Sequence, residues 1–180
     1  VKNAPAVPDI GKLLSLRVEW TKEEIVFTYK MSRLDAESAS SRGFGRLLLD
    51  TYIDINNVVG AGDTKLLEGR KGHLRSRDAW EYALALSGDG AELYRFNAQS
   101  DPLLTAKLGS GADLKSGEIK VAISRAVLRG NPLRWGYFAA AMDPNVKEIL
   151  SVLGPAELQK PLSDKSRGVK RFTAVRASSH

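Results

Sequence analysis

The side chains that could do chemistry gather between Leu47 and Arg70, in "LLLDTYIDINNVVGAGDTKLLEGR". Asp50, Asp54, Asn56, Asn57 and Asp63 supply oxygens there, and Gly60 and Gly62 supply turns. Asp50 and Asp54 are four residues apart in a segment that reads as a strand, so they project from one face. At ~3.3 Å per residue they lie roughly 13 Å apart. Paired glycosidic carboxylates need about 5–9.5 Å, so these two form no such pair by themselves. An EF-hand loop begun at Asp54 would require a ligand at Val58, glycine at Val59 and glutamate at Lys65, and it fails at all three. A looser oxygen site at Asp54, Asn56 and Asp63 is the remaining metal reading, with calcium as the ion. Beside it stands the plainer reading that these residues turn the chain.

Other chemistries fail on spacing or on residue type. "GAGDTK" has Lys65 where the dinucleotide fingerprint needs its third glycine, and "GFGRLL" fails in the same way at Leu48. There are no cysteines, which removes disulfides, thiolate metal sites and thiol catalysis. The histidines are His73 and His180, and no Gly-x-Ser-x-Gly elbow accompanies them. A non-enzyme is therefore expected. Three tryptophans remain, at 20, 80 and 135, each on a predicted strand. Trp80 with Tyr82, and Trp135 with Tyr137, align at strand spacing. Such rings either stack on sugar faces or fill a core.

The elements that must position these groups are mostly strands. "LLSLRVEW" alternates with Leu14, Leu16, Val18 and Trp20 on one face, and "IVFTYKM" with Ile25, Phe27, Tyr29 and Met31. "RLLLDTYIDI" is apolar on both faces and suits a central strand. "WEYALALS" and "AELYRF" flank a Gly-Asp-Gly turn and form a hairpin. "LLTAKL", "GEIKVAIS", "LRWGYFAAAM" and "KRFTAVRA" complete about nine strands. "RAVLRG" suits one helical turn closed by Gly130, and residues 145–158 a short helix. The pattern predicts an all-β, antiparallel β-sandwich. Residues 1–12, with Pro5 and Pro8, read as a linker, 13–176 as one sandwich domain and 177–180 as a tail.

The chain has 180 residues and 43% hydrophobic residues, enough for a core, but no apolar run of about 18 residues that could span a membrane. Val1 is not an initiator Met, which fits a fragment or a processed form with a signal upstream. Net charge is +6, concentrated at Lys160, Lys165, Arg167, Lys170, Arg171 and Arg176. No aromatic or glycine pattern of a nucleic-acid module accompanies that run, so it reads as a solvated last strand with a basic tail, with no nucleic-acid partner.

Several segments, read in order, resemble the C-terminal module of glucodextranase, which also occurs on amylopullulanase-like enzymes. They are "GFGRLLLDTYIDINN", "GAGDTKLLEGRKG", "WEYALALSG" and "VAISRAVLRGNPLRWGYFAAAMD". The likeness spans roughly residues 12–143. It departs at the start, where "VKNAPAVPDIGKLL" stands in place of an acidic, Gly/Pro/Tyr-rich segment. The resemblance implies a DOMON-like, jelly-roll-like sandwich related to family-nine carbohydrate-binding modules. It further implies a non-catalytic, extracellular or cell-surface module of a prokaryotic polysaccharide-degrading enzyme. Its partners would be a polysaccharide or cell-wall glycan and the parent glycoside hydrolase domains. On that reading Trp80, Tyr82, Trp135 and Tyr137 form an aromatic platform, with Asp54, Asn57 and Arg70 as its polar rim. No cofactor is expected, a structural calcium at the looser oxygen site being the one open metal reading. The alternative is a DOMON-like haem or other cofactor binder, using Met31, Met142 or His73 on the iron.

Overall fold

A computed structural model describes residues 11–34, 47–142, 149–153 and 168–173. It is all-β, with two antiparallel sheets packed as a sandwich. The strands are β1 (Leu13–Trp20), β2 (Glu24–Met31), β3 (Leu48–Asp54), β4 (Tyr82–Ser87), β5 (Gly90–Arg95), β6 (Leu103–Leu108), β7 (Ser110–Asp113), β8 (Glu118–Ser124), β9 (Gly136–Met142), β10 (Ile149–Leu153) and β11 (Gly168–Thr173). One sheet runs β11-β1-β2-β8-β7 and the other β10-β9-β3-β4-β5-β6.

Alternation built these strands, and the core follows it. Ile25, Phe27, Tyr29 and Met31 of β2 and Ile119, Val121 and Ile123 of β8 are all buried between the sheets. They meet Leu49, Ile53, Leu84, Leu86 and Leu93 from the second sheet. In β1 the expected face slips by one residue: Leu13 is buried and Leu14 is 37% exposed. A register shift between Leu13 and Ser15 causes it, since an extra residue in one strand reverses the facing before it.

Eleven strands stand among the described residues where about nine are expected. β7, "SGAD", was hidden because it has no apolar alternation. β10 lies inside the segment expected to be helical. "VKEILSVL" has apolar residues at helical spacing, but its β-branched residues also suit a strand. Ile149–Leu153 instead extends the second sheet beyond β9, and the rest of 145–158 lies outside the described residues. Among the described residues the helical elements are two 3₁₀ turns, Ser76–Asp78 and Pro132–Arg134. "RAVLRG" does make one turn: the Val127 and Leu128 N–H groups both donate to Ser124 O (3.0 and 3.1 Å). No helix among the described residues is long and apolar enough to cross a membrane.

β3 is central, between β9 and β4, and buried from Leu49 to Asp54. Its inner side chains face the core, while its outer ones lie beneath the β3–β4 connection, residues 55–81. Connections longer than about 12–15 residues without their own secondary structure are uncommon and usually functional.

Candidate binding groove

The outer face of the second sheet is set by register. Ser87 opposite Gly90 closes the β4–β5 hairpin and fixes Ala85 opposite Glu92 and Ala83 opposite Tyr94. Extended across the sheet, one row reads Ala140, Asp50, Ala85, Glu92, Lys107. The alanines add no bulk to the floor, so the taller side chains beside them enclose a groove of about 1230 Å³. Ala85, Glu92, Tyr94 and Lys107 line it from the sheet, and Leu67 and Arg70 from the β3–β4 connection.

That connection forms the wall, and local geometry dictates its path. Asp54 Oδ1 accepts from the Asn56 and Asn57 N–H groups (3.1 and 2.7 Å), which turns the chain out of β3. Asn57 takes φ +54°, a conformation asparagine tolerates. At Gly62 (φ +102°) a Cβ would stand 2.5 Å from Trp80 O, so only glycine fits the close approach. Asp63 and Trp80 then exchange backbone hydrogen bonds at 2.9 Å, and Trp80 Nε1 donates to Lys65 O at 2.8 Å. Leu66 and Leu67 are carried onto Tyr52, Trp80 and Ala83, making a second small core outside the sheet.

A buried ion pair pins the wall to the floor. Asp50 is fully buried; Arg70 Nε donates to its Oδ2 (2.8 Å) and Arg70 Nη2 to its Oδ1 (3.2 Å). The third guanidinium nitrogen, Nη1, donates to Glu68 O (3.1 Å). Tyr52 OH donates to Asp50 Oδ2 (3.0 Å) and accepts from the Leu67 N–H (3.0 Å). Burial, then the Asp50 charge, drives the Tyr52 phenol well above its ordinary value. Burial draws the Arg70 guanidinium down, but the hydrogen bonds and charge of Asp50 outweigh it and hold the cation more firmly. Nearer the opening, Tyr94 OH donates to Glu92 Oε2 (2.5 Å). Burial and that carboxylate push the Tyr94 phenol up to about 12.

The residues expected to form the site are dispersed. Trp80, Trp135 and Tyr137 are 1, 2 and 4% exposed, so they offer no face on which a sugar could stack. Their apolar area went into packing. Trp80 sits 5.5 Å from the Tyr52 ring in the wall, and Trp135 and Tyr137 lie in the core between the sheets. The expected alignment of Trp80 with Tyr82 is broken, because Trp80 precedes β4 and turns to the outer cluster while half-buried Tyr82 packs on the inner one. Asp54 and Asn57 are not among the groove's lining residues. Of the expected rim only Arg70 reaches the groove, and there it serves chiefly as the pin.

The proposed calcium oxygens have turn-forming work. Asn56 Oδ1 accepts from the Val58 N–H (2.7 Å), its amide donates to Glu81 Oε1 (2.7 Å), and Asp63 Oδ1 accepts from the Lys65 N–H (2.8 Å). Glu81 stands near Asp54; burial, opposed by the Ile55 N–H and reinforced by the Asp54 charge, raises its carboxyl above the usual range. Among the described residues no three His, Cys, Asp or Glu side chains are grouped to hold a metal ion. For haem, Met31 is buried between the sheets, Met142 is buried on the opposite side of the second sheet, and His73 is exposed in the wall. The fold does not bring the three together.

Glu92, Tyr94, Lys107 and Ala85 were missed. Their signal was present, since a two-residue hairpin loop fixes cross-strand pairs and "ALALS" places its small residues opposite Glu92 and Tyr94. The wall that turns this face into a groove had no such signal. No curated protein matches the chain. The family model for the C-terminal, SLH-like binding module of glucodextranase matches residues 6–149. With that match over most of its length and an all-β sandwich beneath it, the chain belongs to the family of glucodextranase C-terminal binding modules.

Proposed function

We propose that the protein is a non-catalytic, carbohydrate-binding or cell-surface attachment module of an exported polysaccharide-degrading enzyme, and that it meets its glycan in the groove over β4 and β5. The observation that carries this reading is the groove itself. It is open, floored by Ala85 and edged by hydrogen-bonding side chains, with the Tyr94 ring beside them. Polar side chains around a concave floor suit a chain of hydroxyls. Tethering would raise the local concentration of the parent enzyme on polymer, so a weak site is sufficient.

The floor offers no catalytic pair at Asp50 and Glu92. Asp50 and Glu92 lie two strands apart, roughly 10 Å at the usual strand spacing, near the range of an acid–base pair. Yet Asp50 is fully buried, with Arg70 on both oxygens and Tyr52 on one. It has no route to a glycosidic oxygen.

A glycan array probed with this chain, with and without calcium, tests the reading. Binding to a defined glycan that is abolished by Ala85→Trp, which fills the groove floor, is the expected result. No reducing-sugar release from α-glucans is expected from the chain alone. Binding that survives Ala85→Trp would remove the groove as the site. Pelleting with cell-wall material without binding any array glycan would favour attachment over substrate targeting.

A further inference from the structure

We infer that the groove is selective for uncharged glycans and discriminates against carboxylated, sulfated or phosphorylated polymers. The inference rests on the glycan reading above and adds the chemical class of the ligand.

Two independent observations carry it. The first is the state of the guanidinium that lines the groove. Arginine recognises carboxylate and phosphate through a planar fork of parallel N–H groups. In Arg70 that fork is already closed on Asp50, with Nε and Nη2 at 2.8 and 3.2 Å from its two oxygens, and Nη1 is held by Glu68 O. An incoming anion would find the Nε–Nη2 edge already taken by a fully buried carboxylate and would have only the second N–H of Nη1 and of Nη2 to meet. Asp50 could not be left unpaired without a large penalty.

The second is the charge around the opening. Asp63, Glu68, Asp89, Glu92 and Asp101 line the groove. Among the described residues, beyond Arg70 paired to Asp50, the lining cations are Lys65 and Lys107, and Lys107 Nζ stands 3.9 Å from Glu92 Oε1. The described lining is thus net acidic on a chain whose total charge is +6. Hydroxyl groups gain from this arrangement, because carboxylates accept their hydrogens, whereas a ligand carboxylate meets like charge in a confined space.

Competition decides the matter more cleanly than direct binding, since a basic chain offers an anionic polymer other surfaces to hold. The full chain is loaded with a fluorescent neutral dextran oligosaccharide. Unlabelled neutral oligosaccharide and its carboxymethylated counterpart of equal length are then compared as competitors. The carboxymethylated chain is expected to compete about tenfold more weakly at low salt, with the gap narrowing at high salt as the charges are screened. In an Asp89→Asn/Glu92→Gln/Asp101→Asn variant the gap should fall to about threefold or less. Equal or stronger competition by the carboxymethylated chain at low salt overturns the inference and leaves the glycan reading standing. If the neutral dextran oligosaccharide does not bind at all, that reading falls for this glycan class and the inference falls with it. Should the triple variant fold poorly, the salt dependence of the unaltered chain still decides.

Discussion

The outer faces of the two sheets carry similar residues and put them to different uses. On the five-stranded sheet, Arg17 pairs with Glu19 (3.2 Å) and Lys120 with Glu118 (3.9 Å), each within its own strand and each partly exposed. On the six-stranded sheet, Asp50 pairs with Arg70 twenty residues further along the chain, and the side chains are 0 and 16% exposed. The difference comes from the β3–β4 connection. It folds back over one face, excludes water from the charges there and leaves the neighbouring strands as a groove. The other outer face keeps its charge pairs partly exposed and within single strands. A sandwich makes two such faces by construction, and here a loop decides which of them becomes a groove.

Breaking the two ion pairs should separate the faces most strongly. Arg70→Met strands a fully buried carboxylate and should cost about 3–5 kcal/mol of stability. Arg17→Met should cost less than about 1 kcal/mol. Urea unfolding of both variants reads the contrast, and comparable losses would undo it. Glycines give the next effect. Gly62→Ala forces a Cβ into Trp80 O at a positive φ and should destabilise by about 1–3 kcal/mol. Gly111→Ala in β7 meets nothing within 4 Å and should stay within about 0.5 kcal/mol of the parent. Hydrogen exchange should show Leu66 and Leu67 amides losing protection in the first variant alone.

A smaller effect separates two threonines. Thr51 Oγ1 shares a buried 2.6 Å hydrogen bond with Tyr29 OH, so Thr51→Val should cost about 1–2 kcal/mol. Thr28 Oγ1, on the five-stranded sheet, is buried with no partner among the described residues. Thr28→Val should therefore be neutral or stabilise by up to about 1 kcal/mol, as thermal unfolding will show. The smallest effect concerns pH. Tyr94 has its phenol pushed up to about 12 by burial and Glu92. A raised pKa favours the protonated folded form, so this contribution is complete below pH ~10 and is lost as pH climbs toward 12. Tyr94→Phe should flatten that part of the alkaline stability profile. Asp113, at the edge of the five-stranded sheet, shifts the other way. Hydrogen bonds from Ser116 and Lys115 hold it below the usual carboxylate range, so its contribution is present at neutral pH and fades only in acid. Carboxyl titration followed by NMR should place Asp113 below ordinary aspartates.

Much of the fold was legible because alternation is local. Ile25 to Met31 and Ile119 to Ile123 could be assigned to an inward face from the chain alone, and the Gly-Asp-Gly stretch marked the β4–β5 hairpin, although the structure shortens its turn to Gly88 and Asp89 and so sets the register. The site was not legible in the same way. Trp80, Trp135 and Tyr137 have the chemistry of a sugar platform, yet a tryptophan that packs in a core and one that meets a ligand look alike in sequence. β10 was misread for a related reason, since the four apolar residues of "ILSVL" fit a helix face or a strand edge equally well until β9 offers its hydrogen bonds. Asp50 looked like a chemical group and turned out to be half of a structural pin, because its partner lies twenty residues away.

The sequence by itself determined the sandwich, most of its strands and the family likeness, since residue period, turn chemistry and motif order are properties of neighbouring residues. Tertiary structure alone decided which face is a groove, which aromatics are lost to the core and which carboxylate is sealed. Those outcomes depend on how residues 55–81 lie across β3, β4 and β5. Burial, which sets the energy of each charge and ring, is a property of distant segments brought together.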